Sequence, residues 1–406
     1  MNCGLLGKKL GHSYSPQIHA YLGDYSYSLY AKKPEELSDF LLRGNFTGLN
    51  VTIPYKKDVL VFCDELSDCA KRLGAVNTIV RRNGKLIGHN TDYFGFCSML
   101  AKTGLKVSGE KVLVLGSGGA SATAVAVLQE KGANVVVISR SGKNHYNNLN
   151  LHKDATVIVN ATPVGMYPQT DVSPIDLDIF PTLEGVLDII YNPARTKLLM
   201  DAQQRGLITE NGLWMLVAQA KESAEWFTDR HINDCKIMEI YTQLRRQMEN
   251  IVLIGMPGCG KSTLGILLAE KLGKQFFDAD TEIEKSAGQS IPEIFASSGE
   301  SGFRKLESEI LAELGKKSGL VIATGGGCVT VPDNYRSLHQ NGRIIWIQRD
   351  INKLPTDGRP ISQSSNLENL FYTRKPMYEA FADIAVTNNA SLDDTLHTIL
   401  TMEGYQ

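Results

Sequence analysis

The sequence predicts an α/β protein of two or three bodies built on parallel sheets, and three observations carry that expectation. Two β-branched runs, Lys111–Leu115 and Asn250–Ile254, each end in a glycine-rich turn and pass into a helical stretch. Strand, tight turn and helix in that order open a parallel βαβ unit, whose strands are buried on both faces and read as continuous apolar runs. At 406 residues the chain is too long for a single core, since a domain takes about 150. Hydrophobic residues make up 43% and charged residues 21%, the balance of a globular protein rather than a disordered or fibrous one.

The remaining composition narrows the class. No apolar run reaches the ~18 residues of a membrane span, and the start, Met1-Asn2-Cys3-Gly4-Leu5-Leu6-Gly7-Lys8, lacks the apolar region of a secretory signal. Seven cysteines, scattered and without a CxxC pair, form no disulfide framework and point to a reducing cytoplasm. Residues 1–249 carry a net charge of +2 and residues 250–406 a net charge of −4. Neither part is basic enough for nucleic acid to be the main partner, so an anionic ligand must be held by a local cluster. Oligomeric state is not readable from this composition.

The elements follow in order. Residues 1–100 alternate short apolar runs with helical patterns such as Pro34–Leu42 and Tyr93–Leu100, which predicts a separate α/β domain. Residues 101–212 hold the strand Lys111–Leu115, the turn Gly116-Ser117-Gly118-Gly119-Ala120, an alanine- and valine-rich helix to about Gly132 and a second strand, Asn134–Ser139. This is a Rossmann-like dinucleotide unit. Residues 213–246 read as helices returning to the first domain, and the polar stretch Gln243–Glu249 reads as the main linker. Residues 250–406 form the last domain, with Ser362–Asn366 as a polar loop.

Gly255-Met-Pro-Gly258-Cys-Gly260-Lys261-Ser262 satisfies G-x-x-x-x-G-K-[ST] in full. Glycines let backbone N–H groups converge on a polyphosphate, the helix N-terminus adds positive potential, and Lys261 reaches the β- and γ-phosphates. Ser262 is placed to ligate Mg²⁺, with Thr263 beside it. The motif is a strong signal for a P-loop NTP site on a parallel sheet, but leaves the acceptor open. Downstream, Phe276-Phe277-Asp278-Ala279-Asp280 ends an apolar run, with both acids expected on one face of a strand. Then come Phe303-Arg304, Ala323-Thr-Gly325-Gly326-Gly327, Asp357-Gly-Arg359-Pro360 and Arg374-Lys-Pro-Met-Tyr378.

In this order and spacing the set resembles shikimate kinase across essentially all of residues 250–406. The resemblance implies that Asp280 binds the substrate hydroxyls and serves as base. It also implies that Arg304 and Arg374 grip the carboxylate, Gly326 backs the ring, Asp278 assists Mg²⁺, and Arg359 closes over the phosphates from a lid. The lid departs from the family pattern, because only eight residues separate Asp350 from Arg359.

The glycine turn at 116–120 is not a full G-x-G-x-x-G, yet a series of short blocks surrounds it. They are Gly11-His12-Ser13-Tyr-Ser15-Pro16, Asn50-Val-Thr52-Ile-Pro-Tyr-Lys56, Gly74-Ala-Val-Asn77-Thr78 and Gly88-His-Asn90-Thr-Asp92, then Asn160-Ala-Thr162-Pro-Val-Gly165-Met166, Asp188-Ile-Ile-Tyr191-Asn-Pro193 and Gly212-Leu-Trp-Met215-Leu-Val-Ala-Gln219. This series closely resembles shikimate dehydrogenase across residues 1 to about 245. The resemblance implies Lys56 as the acid and Asp92 as its partner. Ser13 and Ser15 would meet a carboxylate, and Thr52, Asn77, Asn90, Tyr191 and Gln219 the other polar groups. The turn Gly116–Ala120, with Asn160, Thr162 and Gly212, would hold the dinucleotide. The residue types suit the chemistry: hydride addition to a ketone builds negative charge on oxygen, which an ammonium stabilises and protonates. Two departures stand out. Ala20 occupies a position where the family often has Asn, and only 19 residues separate Arg140 from Asn160, so a helix of the dinucleotide unit is trimmed.

The dinucleotide itself is predicted to be NADP(H). An NAD site places an acid about 20 residues past the glycines to accept from the ribose 2′-OH. Here that region reads Val137-Ile138-Ser139-Arg140-Ser141-Gly142-Lys143, with no acid, so Arg140 is the expected reader of a 2′-phosphate and Lys143 a secondary one.

Each residue also has a structural reading. Ser15 before Pro16 fits a helix start, Asp92 a cap, and Lys56 a solvated charge. Asp278 fits a turn cap, and Arg304 a helix-face pair with Glu300 or Glu307. The expected whole is a bifunctional enzyme that reduces 3-dehydroshikimate to shikimate with NADPH and phosphorylates shikimate with ATP. The alternatives are that one half is a non-catalytic module, or that the last domain is a kinase for another small anionic hydroxy compound. A motor or helicase is excluded, since residues 250–406 leave no room for its second half.

Overall fold

The structure, a computed structural model, describes residues 1–11, 13–354 and 367–404. Arg359 and the stretch 362–366 lie outside the described residues, as does His12. The chain divides into two compact units, residues 1–191 with 198–244, and residues 192–197 with 245–406.

The first unit holds two sheets. Its six-stranded mixed sheet comprises β1 (Asn2–Gly7), β2 (Ser26–Ala31), β3 (Gly48–Val51), β4 (Glu65–Leu66), β5 (Thr78–Arg82) and β6 (Lys85–His89), in the order β2-β1-β3-β5-β6-β4. The strands β1, β2 and β3 are parallel, and β5 runs antiparallel to β3 and to β6. Its five-stranded sheet is parallel throughout, with β7 (Lys111–Leu115), β8 (Asn134–Ile138), β9 (Val157–Asn160), β10 (Gly185–Asp188) and β11 (Ile208–Glu210) in the order β11-β10-β9-β7-β8. The interior strand β7, between β9 and β8, is sealed from solvent over Val112–Leu115, as its unbroken apolar run requires.

Helices in this unit start and stop where local chemistry says they should. They are α1 (Ser15–Ala20), α2 (Leu37–Arg43), α3 (Asp68–Leu73), α4 (Asp92–Thr103), α5 (Gly119–Glu130), α6 (Lys197–Gln204), α7 (Leu213–Thr228) and α8 (Cys235–Met248). Ser67 caps α3 by accepting from Ala70 N at 3.2 Å, and Gly104 ends α4 in the left-handed conformation. The trimmed segment between β8 and β9 carries only a 3₁₀ turn, Tyr146–His152.

The second unit is a five-stranded parallel sheet, β12 (Asn250–Ile254), β13 (Gln275–Asp278), β14 (Leu320–Ala323), β15 (Gly342–Gln348) and β16 (Ile384–Thr387), in the order β13-β14-β12-β15-β16. Around it lie α9 (Lys261–Leu272), α10 (Ala279–Ala287), α11 (Ile291–Lys316), α12 (Asp333–His339), α13 (Leu367–Phe381) and α14 (Leu392–Met402). The start of α11 is a capping box: Ser290 N donates to Glu293 Oε2 at 2.7 Å, with Pro292 in the first turn. The core is built from β12, β14 and β15 against α9, and the buried Tyr378 ring stacks near Trp346. Among the described residues, no helix is long and apolar enough to cross a membrane.

Four expectations are corrected. Asp278 and Asp280 do not share a strand face, because β13 stops at Asp278, which caps α10 while Asp280 sits in its first turn. The polar stretch Gln243–Glu249 is not an open linker: α8 runs through it to Met248, and the division between the two units, between Leu244 and Arg245, falls inside this helix. At α1, Tyr14 holds the N-cap position and Ser15 is the first helical residue; at α4, Thr91 precedes Asp92 in the same way.

One short segment of the second unit comes from the middle of the chain. Ala194 N donates to Asn341 Oδ1 at 2.8 Å and Arg195 N to Gln340 O at 2.8 Å, while the Arg195 guanidinium donates to His339 O at 2.7 Å and Gly342 O at 3.2 Å. Replacing Arg195 by Ala strips donors from two carbonyls, at about 1–3 kcal/mol for each group left unsatisfied. The unfolding transition of the second unit is therefore expected at lower temperature in Arg195→Ala, with the first unit's transition unmoved. Calorimetry that finds the two transitions unchanged would remove the segment from the stabilising set.

Candidate functional sites

The first unit contains a cavity of about 230 Å³ lined by residues from the ends of β1 and β3, the start of α4 and the face of α7. Ser13, Ser15, Thr52, Lys56, Asn77, Asp92, Tyr191, Gly212 and Gln219 all line it. Lys56 and Asp92, 36 residues apart in sequence, meet there: Lys56 Nζ donates to Asp92 Oδ2 at 2.5 Å. The carboxylate's other oxygen, Oδ1, accepts from Asn77 Nδ2 at 2.9 Å, and Asn77 Oδ1 in turn accepts from Thr91 N at 2.7 Å. Asp92 is thus fixed from two sides. Gln219 Oε1 accepts from Thr91 Oγ1 at 3.3 Å, which ties α7 to the same corner.

Asn90 departs from its expected place. It is buried and does not line the cavity: Oδ1 accepts from Asp92 N at 3.1 Å and Nδ2 donates to Ala75 O at 2.9 Å, so it orients Asp92. Asn50, to which the sequence assigns no role, does line the cavity. Its Oδ1 accepts from Tyr27 OH at 2.7 Å and its Nδ2 donates to Thr78 Oγ1 at 3.3 Å. The block Asn50-Val-Thr52 holds the signal, since Asn50 stands on β3 two residues before Thr52, which follows the strand directly. Behind it His19, sealed against Tyr27 at a centroid distance of 4.1 Å, is kept neutral, burial pushing its pKa down to about 3.

The glycine turn follows β7. Gly116 has φ +105, and a Cβ there would press on Ala161 O at 3.0 Å, so a larger residue is excluded. Beyond it Gly118 and Gly119 have open space where a side chain would stand, Ser117 lies between them and Gly116, and α5 opens at Gly119 with Ala120 in its first turn. Open backbone at a helix N-terminus fits a pyrophosphate. Asn160 does not reach this surface: it is fully buried, Oδ1 accepting from Thr162 N at 3.0 Å and Oγ1 at 2.7 Å, and Nδ2 donating to Asp188 Oδ1 at 3.0 Å. It shapes the rim through Thr162. Gly212 belongs to the cavity of Lys56 rather than to the turn, and a Cβ on it would collide with Ile189 O. Arg140 and Lys143 are exposed past the end of β8, and the residues from 134 to 153 contain no acid. These features fit a dinucleotide with a 2′-phosphate.

The second unit holds a larger cleft, about 510 Å³, where Gly258, Gly260, Lys261, Ser262 and Thr263 face Asp278, Asp280, Arg304, Gly326 and Arg374. Gly260 (φ +100) lies so close to Asn388 that a Cβ would meet its Nδ2 at 2.5 Å. Lys261 Nζ donates to Gly255 O at 2.9 Å and Met256 O at 3.1 Å, curled over the loop it serves. Ser262 Oγ donates to Asp278 Oδ2 at 2.5 Å. Among the described residues no three His, Cys, Asp or Glu side chains cluster for a metal. A hydroxyl and one carboxylate fit Mg²⁺, which takes its remaining ligands from phosphate and water.

Across the cleft, Arg374 donates to Gly326 O at 3.1 Å and Tyr378 OH to the same oxygen at 2.5 Å. Arg304 pairs with Glu307 at 2.5 Å and with Glu300 at 3.2 Å, so the helix-face pairing and the cleft position hold together. Burial first, and then the neighbouring Asp278, raise the Asp280 carboxyl above its ordinary range, while Lys261 and Arg304 oppose them. Glu307, buried beside Arg304, also lines the cleft, as do Arg349 and Phe295, the latter stacked on Phe303; the sequence assigns these three no place in the cleft. The i,i+3 spacing of Arg304 and Glu307 was the available signal.

Two nucleotide sites of different construction on one chain define the class: a dinucleotide-type oxidoreductase carried with a P-loop phosphotransferase. Residues 5–79 match the family model for the shikimate dehydrogenase substrate binding domain, and residues 257–402 match that for shikimate kinase. A shikimate dehydrogenase (NADP(+)) of Clostridium perfringens strain 13 is 35% identical over 264 residues, 60% of this chain and 97% of the relative. Among solved structures, the chorismate mutase/shikimate 5-dehydrogenase fusion protein of Clostridium acetobutylicum is similar with a TM-score of 0.57 and 35% identity, covering 60% of this chain and 96% of that one. The shikimate 5-dehydrogenase of Thermus thermophilus, solved with NADP(H) and shikimate, has a TM-score of 0.55 and 31% identity over 60% of this chain and 99% of that one. The chain belongs to the shikimate dehydrogenase family and carries a shikimate kinase domain after it, a fused bifunctional protein.

Proposed function

We propose that the first unit reduces 3-dehydroshikimate to shikimate with NADPH and the second transfers the γ-phosphoryl group of ATP to the 3-hydroxyl of shikimate. The observation that carries the reading is that the two sites each bring distant residues into a working pair: Lys56 with Asp92, and Asp280 with the loop of Lys261. Residues 1–100 with 213–246 would form the substrate body, 101–212 the dinucleotide body and 250–406 the kinase.

In the first site the bound dinucleotide supplies a hydride. Lys56 stabilises the negative charge that develops on the ketone oxygen and gives it a proton, worth about 10²–10⁴-fold for a positioned acid. Asp92 holds the ammonium in place and is itself oriented by Asn77 and Asn90. Ser13 and Ser15 offer hydroxyls to the carboxylate without burying a further charge. In the second site Asp280 takes the proton of the attacking hydroxyl, Arg304 and Arg374 hold the carboxylate, and Lys261 with the loop amides stabilises charge on the phosphates.

The two activities are expected to separate. Lys56→Ala should abolish NADPH oxidation with 3-dehydroshikimate and leave phosphorylation of shikimate nearly intact; Lys261→Ala should do the reverse. Product identification with 3-dehydroshikimate, NADPH and Mg-ATP together tests the whole reading, and a variant that loses both activities while folded would sink it.

Asp280 must be ionised to act as base, and its carboxyl is raised, so phosphorylation should fail as pH drops through a value above the ~4 of an ordinary aspartate. The pH profile of kcat/KM for shikimate measures this. An acid limb at or below the ordinary value would mean that Asp280 is not the titrating base.

For the dinucleotide, Arg140→Ala should lose most of the preference for NADP over NAD, about 10- to 150-fold from the paired charge-assisted bonds of a guanidinium, while NAD activity barely changes. Comparing kcat/KM for both cofactors decides it: NADP activity that survives untouched would place the phosphate elsewhere.

A further inference from the structure

The cleft of the second unit contains a cation that none of the roles above employs. Arg349 follows β15 directly and lines the cleft on the side of the phosphate loop. Its guanidinium has one hydrogen bond among the described residues, a long one from Nη1 to Gly258 O at 3.4 Å, and forms no ion pair with a described carboxylate. Its Nε is buried with no acceptor. Arg304, by contrast, is paired with two carboxylates on the acceptor side.

The backbone around Arg349 is held firmly. Asn388 N donates to Gln348 O at 2.7 Å, Asp350 N donates to Asn389 Oδ1 at 2.8 Å, and Asn388 Nδ2 donates to Cys259 O at 2.8 Å. The loop after β16 thus fixes both the residue and the phosphate loop it faces. A buried donor such as Nε is costly unless a ligand supplies its acceptor, and the remaining donors of this half-buried guanidinium are open to the same ligand. Beside a loop built to collect phosphate oxygens, the chemistry that satisfies it is a polyphosphate, which a planar guanidinium binds with paired bonds.

We propose that Arg349 is a nucleotide-binding residue of the kinase site that donates to the phosphate chain of ATP and ADP from the end of β15. The proposal rests on the kinase reading above. The other reading of the same geometry is that Arg349 only props the loop through Gly258.

The test uses the full chain. In Arg349→Met, which keeps the length of the side chain and removes its donors, the KM for ATP should rise about 10- to 150-fold while the KM for shikimate and the reductase activity stay within twofold of wild type. ADP binding measured by calorimetry should weaken by the same factor, and Arg349→Lys should recover part of it. ADP affinity and ATP KM within twofold of wild type in Arg349→Met would overturn the proposal. So would a joint rise in the KM for ATP and for shikimate with a lowered melting temperature, restored fully by Arg349→Lys, which is the behaviour of a prop. If the wild-type chain fails to phosphorylate shikimate, the kinase reading falls by itself, and the ADP titrations still decide whether Arg349 holds phosphate.

Discussion

The constraint on which both sites depend is the reversal of the chain at the carboxyl end of a fully buried parallel strand. β7 and β12 are interior strands of their sheets, apolar on both faces, and each must turn at once into a helix that covers the sheet. The turn is so tight that Gly116 lies against Ala161 O and Gly260 against Asn388, leaving room for no side chain. The same turn exposes backbone N–H groups at a helix N-terminus, where phosphate is attracted. Packing and anion binding are two consequences of one geometry.

Much of the rest of each nucleotide site is supplied by neighbouring strand ends, as an open parallel sheet requires, while Arg304 and Arg374 reach the second cleft from α11 and α13. In the second sheet of the first unit, Asn160 and Thr162 come from the end of β9 and Arg140 from beyond β8. In the second unit, Asp278 ends β13, Gly325–Gly327 follow β14, Arg349 follows β15 and Asn388 follows β16. The substrate cavity of the first unit is built differently, from a mixed sheet, and depends on a side-chain network instead of backbone donors. There Asn77, Asn90 and Thr91 are spent on holding one carboxylate, so that a single lysine is held in place.

Much of this was legible in the sequence, because the signals were local. The apolar runs of β7 and β12, the glycines after them and the phosphate-loop lysine each fall within one short stretch, residues 111–120 and 250–261. What was not legible depended on the third dimension. Asp278 and Asp280 looked like a strand pair because an alternating pattern cannot show that the strand stops between them; only the capping of α10 by Asp278 does. Asn90 and Asn160 stand among binding residues in the chain, yet burial turns their side chains into supports for Asp92 and Thr162. Arg349 has no neighbour in sequence that marks it, since its significance comes from Gly258, ninety-one residues away.

Asp278 shows why such supports resist simple assignment. Its Oδ1 accepts from Asp280 N at 3.0 Å and Thr281 N at 3.4 Å, which starts α10 and so fixes where Asp280 points. Its Oδ2 accepts from Ser262 Oγ at 2.5 Å, which ties the start of α10 to the first turn of α9. Its charge, after burial, helps to raise the Asp280 carboxyl, since two carboxylates near one another oppose each other's ionisation. A divalent cation taken up beside Ser262 would offset the part of the raise due to Asp278 and leave the larger part, which comes from burial. Cap, cation ligand and tuner of the base are therefore not competing descriptions of this residue: the hydrogen bonds that cap the helix are what hold its other oxygen beside Ser262.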